Sequence, residues 1–208
     1  MTPRNSRRNF TRTSQTRPLN KMFLIIPEGT VTEWSYFRIL KMLLETKSSK
    51  TLCMKCIATG KDRAPEKLLK KMKKAIRDYD LSETDEAWIV LDRDTWKMDQ
   101  LIKIQQWNNE DSRFNSAISN PKFEYWLLLH FENPSSSLTS DACTARLRKY
   151  IQNYVKEIPP SAVTCEGVKQ ACKKAASKYS KHPDLLESNG SEVFILVQHM
   201  MKALDLSD

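Results

Sequence analysis

The hydrophobic pattern changes period along the chain. Met22–Ile26 is a continuous apolar run that breaks sharply at Pro27-Glu28-Gly29-Thr30. Trp34, Phe37, Leu40, Met42 and Leu43 then form an apolar stripe over Thr32–Thr46. A short apolar run closed by turn residues and followed by a helical stripe predicts a buried parallel strand feeding a helix, capped by Thr30 or Thr32. The motif recurs: a second strand at Thr51–Thr59, a helix at Pro65–Tyr79, a third strand at Glu86–Leu91, a helix over about Trp96–Trp107 and a fourth strand at Phe114–Ser119. Asn120 suits an N-cap and Pro121 the first helical position, so a helix is expected from there through Phe131. Helices alone follow, at Asp141–Val155, Gly167–Ser180 and Glu192–Leu204, with a Ser-rich loop at Asn133–Thr139 and a break at Pro159-Pro160. The alternating first half predicts an α/β fold, a mostly parallel four-stranded sheet flanked by helices, with a C-terminal helical part. Three segments result: an arm at 1–20, the α/β core at 21–135 and a helical extension at 136–208 packed on it.

In such sheets the ligand crevice lies outside the carboxyl ends of the strands. Glu28 stands at the end of the first strand, and Asp92-Arg93-Asp94 ends the third. If these strands are neighbours, three carboxylates converge, and like charges there call for a hard cation such as Mg²⁺. The helix expected at Asn120 opens on the same edge, where its free N–H groups would suit a phosphate. Glu124, in its first turn, either reaches the metal or complements the helix dipole; Lys122 either contacts phosphate or is an exposed lysine. His130 lies six residues past Glu124, toward a different side of the helix, and reads better as a packed core histidine than as a general base. Cys53-x-x-Cys56 lacks the second pair that a zinc site needs, so small buried hydrophobes are the better reading.

Charge adds a partner class. The 208-residue chain has a formal net charge of +9 and only four glycines, which favours a polyanion and leaves little room for Gly-rich phosphate loops. Arg4, Arg7, Arg8, Arg12 and Arg17 stand in an acid-free, polar first segment that cannot bury a core. It reads as a phosphate-binding arm or a solvated tail. Lys67, Lys70, Lys71 and Lys74 share one helix face, as do Lys169, Lys173, Lys174 and Lys178. Each face is a nucleic-acid contact or a solvated surface. No apolar run approaches a membrane span and no signal peptide is visible. The five cysteines have no regular spacing, so a cytoplasmic protein with reduced thiols is expected.

The strand-end Glu28-Gly29 and the downstream Asp92-x-Asp94 resemble the Toprim module, in which these motifs bind Mg²⁺ at the edge of a Rossmann-like parallel sheet. A closer resemblance covers nearly the whole chain. Pro27–Phe37 (PEGTVTEWSYF), Trp88–Asp94 (WIVLDRD) and Ser119–Phe131 (SNPKFEYWLLLHF), with the terminal helix, look like the RloB family. That resemblance implies a small Toprim-like prokaryotic protein, encoded beside an ABC- or AAA-type ATPase in restriction and anti-phage defence loci, with nuclease chemistry. Glu33 stands where related nucleases often place a further acid, and is either a metal ligand or a first-turn acid. Thr95-Trp96 replaces the glycine usual after Asp-x-Asp.

The expected function is therefore a Mg²⁺- or Mn²⁺-dependent nuclease acting on RNA, a tRNA included, or DNA. Glu28, Asp92 and Asp94 would hold one or two ions, Glu28 serving also as general base, while Lys122 and the Asn120 helix end would stabilise negative charge. The rival is a non-catalytic metal- and nucleic-acid-binding subunit that regulates an ATPase partner. A phosphotransferase would need a nucleoside pocket, and no P-loop is present. The sequence leaves the oligomeric state open, a homo-oligomer included.

Overall fold

The computed structural model describes residues 20–60, 62–93, 96–134, 137–181 and 188–206. Strands β1 (Met22–Pro27), β2 (Cys53–Cys56), β3 (Glu86–Asp92), β4 (Phe114–Asn120) and β5 (Gly190–Ser191) form one sheet in the order β2-β1-β3-β4-β5. The first four pair in parallel and β5 runs antiparallel to β4. The sheet therefore has five strands rather than four. The two residues of β5 carry too little pattern to read, and they form a strand because the chain returning to the last helix passes beside Ser119 and Asn120.

Helices α1 (Thr32–Glu45), α2 (Pro65–Asp78) and α3 (Met98–Asn108) connect the parallel strands. The chain steps one way from β1 to β2 and the other way from β2 to β3 and β4. Right-handed crossovers then put α1 on one face and α2 and α3 on the other. Strand residues alternate accordingly. Phe23, Ile25, Trp88, Val90 and Ala117 pack in the core that holds α1, whereas Leu24, Ile26, Ala87, Ile89, Leu91 and Ile118 pack with α2 and α3. Helices α4 (Phe123–Leu129), α5 (Ser140–Leu147), α6 (Cys165–Lys181) and α7 (Val193–Ala203) complete the α1 side. The two cysteines of the CxxC pair contribute to opposite cores, Cys53 on the α2 side and Cys56 on the α1 side. Burial pushes the Cys56 thiol up to about 12. No helix among the described residues is long and apolar enough to cross a membrane.

Some elements are shorter than their patterns predict. The second strand keeps only four residues of Thr51–Thr59, at a sheet edge where one neighbour is available. The helix expected over Asp141–Val155 ends at Leu147. Asn153 then takes a left-handed φ of 56°, and Arg148 Nε donates to the Tyr154 carbonyl at 3.1 Å. This turn brings Tyr154 back toward the first strand's end, a tertiary demand that overrides helical periodicity.

Glu192, just before α7, is half-buried and accepts a hydrogen bond from Ile118 N–H at 2.9 Å. Burial pushes its carboxyl up to about 7, only partly offset by that bond. The folded protein thus binds a proton that the unfolded chain releases between about pH 4.3 and 7, and stability falls as pH rises through that window. Glu192→Gln, which retains an acceptor for Ile118, is expected to gain about 1–3 kcal/mol at pH 8 and almost nothing at pH 4. Urea unfolding at the two pH values checks this.

Candidate metal and phosphate site

The strand order turns back on itself between β1 and β3, and the crevice of a doubly wound sheet opens at such a reversal. Glu28 extends the β1–β3 pairing by one step, its N–H donating to Val90 O at 2.8 Å. Its Oε2 accepts from Asp92 N–H at 3.1 Å and from the Trp96 indole N–H at 2.9 Å. Asp92 Oδ1 in turn accepts from Phe123 N–H at 2.8 Å and so caps α4 from another strand. Glu33, in the first turn of α1, reaches back to Gly29 N–H at 3.0 Å. Glu124 Oε1 accepts the Tyr154 hydroxyl at 3.0 Å and lies 3.6 Å from Lys156 Nζ. Thr32 Oγ1 ties this segment down by donating to Lys156 O at 2.8 Å.

These side chains line one cavity of about 180 Å³, with Glu28, Glu33, Asp92 and Glu124 on its walls and Arg63 and Lys156 at its rim. Glu28, Glu33 and Glu124 are buried. Burial raises the Glu33 pKa, and the charges of Glu124 and Glu28 add to that rise, while N–H bonds at Glu33 and Gly29 partly oppose it. A buried acid elsewhere in the molecule shows the contrast. Burial would raise Glu86 too, but bonds from His199, Lys21 and Trp88 outweigh it and hold that carboxyl at about 2. Glu86 has the Lys21 ammonium and two ring donors, whereas Glu33 faces other acids.

The family model for RloB-like proteins matches residues 23–200, from β1 into α7. The chain belongs to the RloB-like protein family. No curated protein and no solved structure matches it.

In this RloB-like chain the structure joins four of the expected site acids, Glu28, Glu33, Asp92 and Glu124, at one cavity. Asp94 lies outside the described residues, as do Arg4, Arg7, Arg8, Arg12 and Arg17. Asn120 is a correction. It is the last residue of β4, paired with Gly190, and lies too far ahead of the first helical turn to cap it. The helix starts at Phe123 instead, after a cis Asn120–Pro121 peptide. Lys122 is a second correction. Its Nζ donates to Thr144 Oγ1 at 2.7 Å and does not line the cavity. On α2, Lys67 pairs with Asp62, Lys74 pairs with Asp78 and Lys71 donates to Thr59 O, so that face is largely engaged within the protein.

His130 is buried at the end of α4, with Tyr36 Oη 3.3 Å from its Nε2 and the Trp126 ring edge-on at 5.3 Å. Burial and then Lys174 drive its pKa down to about 3, which suits a neutral packing residue. Sequence reasoning missed Lys156, Tyr154, Thr32 and Arg63. Arg63 follows β2, and a loop leaving the carboxyl end of a parallel strand reaches this edge by rule, so its position carried a usable signal. Lys156 and Tyr154 arrive from a remote turn and carried none.

The donor set is wholly carboxylate, the chemistry that Mg²⁺ or Mn²⁺ prefers. Among the described residues no three His, Cys, Asp or Glu side chains stand together as a finished metal shell. Mg²⁺ retains several waters and needs only one or two direct carboxylates, so the walls of this cavity fit such an ion.

Proposed function

We propose that this RloB-like protein is a Mg²⁺- or Mn²⁺-dependent phosphodiesterase, an endonuclease acting on RNA or DNA. One observation carries the reading: four acidic side chains line one cavity at the reversal point of the sheet, with Arg63 and Lys156 at its rim. Glu28 and Asp92 would hold the ion, with Asp94 as a further ligand, and Glu33 and Glu124 would hold its waters. When bound, a divalent ion polarises a phosphate and lowers the pKa of a coordinated water. The chain's own groups do the rest. The Asp92 N–H and Trp96 indole fix the Glu28 carboxylate, and Phe123 N–H fixes Asp92. The exposed Lys156 and Arg63, which line the cavity, would take the non-bridging oxygens of a phosphodiester. A defence setting and an ATPase partner, implied by the family resemblance, belong to the same proposal.

The test is cleavage of labelled tRNA, other RNA, and single- and double-stranded DNA with Mg²⁺, Mn²⁺ or EDTA. Metal-dependent cutting that EDTA abolishes is the expected outcome. Absence of cutting, by the protein alone and with its neighbouring ATPase, would replace this reading with the non-catalytic subunit. The lack of a finished three-carboxylate shell among the described residues is the observation on that side.

A further inference from the structure

α6 carries a second basic surface whose surroundings differ from those of α2. Lys173, Lys174, Lys178 and Lys181 line a groove of about 460 Å³, completed by the amides and hydroxyls of Asn133, Gln170, Ser177, Ser188 and Asn189. Lys174 Nζ donates to Leu129 O at 2.9 Å and Lys178 Nζ to Pro134 O at 2.8 Å. These carbonyls fix the two ammonium groups beside α4, and among the described residues neither ammonium pairs with a carboxylate. Burial and then Lys181 lower the Lys178 pKa. Lys173 and Lys181 are exposed, and packing gives neither of them a role.

The groove also has a defined place. Asn189 precedes β5, its Nδ2 donates to Asn120 Oδ1 at 3.4 Å, and Asn120 ends β4. Asp92, at the end of neighbouring β3, pairs with Ser119 and accepts from the first residue of α4, whose other end carries Leu129 and meets Lys174. The groove and the carboxylate cavity are thus joined through α4 and open near the same edge of the sheet. The lysines span eight residues of helix, roughly 12 Å at the helical rise. That length exceeds a single phosphate and suits successive phosphates of a chain.

We infer that the α6 groove is a backbone-binding track for a nucleic-acid strand, holding by charge and amide contacts a chain whose scissile phosphate enters the carboxylate cavity. The inference rests on the proposed nuclease reading for the second half of that statement only. The surface suits phosphates rather than bases, since its described lining offers lysines, amides and hydroxyls and no aromatic ring.

The experiment is fluorescence anisotropy of the full-length protein with labelled single-stranded RNA and DNA in EDTA, over a salt series, so that binding is read without cleavage. Lys173→Gln/Lys181→Gln is expected to weaken binding about tenfold and to flatten the dependence of log K on log salt by about 0.7 for each lysine. Lys173→Arg/Lys181→Arg is expected to restore both. Lys67→Gln/Lys70→Gln on α2, matched for lost charge, is expected to bind as the wild type does. Because Lys173 and Lys181 are exposed, thermal melting should be unchanged in all three. The inference is overturned if the α6 variant binds with unchanged affinity and salt slope, if the α2 variant loses as much, or if wild-type protein binds neither strand. Each of those results leaves the metal-dependent cleavage test standing by itself.

Discussion

Asp92→Asn is expected to remove the proposed metal-dependent cleavage, by at least about 100-fold, in a protein that melts close to the wild type. The magnitude follows from metal sites generally: altering a group that merely orients a ligand costs 10–100-fold, and loss of a ligand charge costs more. The choice of Asn follows from this structure. Asp92 Oδ1 accepts Phe123 N–H at 2.8 Å and so supplies the N-terminal acceptor of α4. Asn keeps that acceptor and deletes the charge. Asp92→Ala deletes both, and is expected to lose about 0.5–2 kcal/mol of stability along with activity. Measuring cleavage and urea unfolding on both variants separates the two roles. If Asp92→Asn cuts normally, the carboxylate is only a cap and the proposed site is wrong. If both variants are inactive and only the Ala variant is destabilised, Asp92 caps the helix and serves the chemistry with the same side chain.

The cap that Asp92 supplies from another strand bears on what the sequence made legible and what it did not. Period changes along Met22–Ser119 are local properties, so the strand–helix alternation and the placing of Glu28 and Asp92 at strand ends could be read directly. The neighbouring of β1 and β3 was a conditional inference, and the pairing of Phe23 with Glu86 through Pro27 with Val90 supplies it. His130 was legible because its sequence neighbours on the helix are aromatic. The cap of α4 was not. Asn120-Pro121 carries the local signature of a helix start, but the ladder partner Gly190 claims Asn120 and a carboxylate from β3 takes over the capping. Lys156 and Tyr154 were hidden for a related reason. Tyr154 is held by Thr32 and Glu124, 122 and 30 residues away in sequence, and no window of local pattern encodes such contacts. Tertiary partners in this protein displace local preferences around the cavity, which is where natural sequences most often break local rules.

Gly29 shows the same crowding from the backbone side. A Cβ built there would stand 1.9 Å from Glu33 Oε2 and 2.3 Å from Oε1. The glycine is thus required for room: the Glu33 carboxylate lies against the backbone to accept Gly29 N–H at 3.0 Å. Gly29→Ala must expel that carboxylate from a buried position, leaving both it and the N–H without each other. The obstructing atoms are the far end of a flexible side chain, so the cost is chiefly the lost bond, about 1–3 kcal/mol, and the cavity loses one wall acid. Cleavage is expected to fall with stability. The decisive measurement is a double-mutant cycle. In a Glu33→Ala background the obstructing carboxylate is gone, so adding Gly29→Ala should cost less than about 1 kcal/mol, a strongly non-additive pair. Equal costs in the two backgrounds would show that Gly29 is needed for something other than Glu33. With the expected coupling, the Glu-Gly at the end of β1 works as a unit with the first turn of α1. The glycine admits the second acid, and the strand end aims the first.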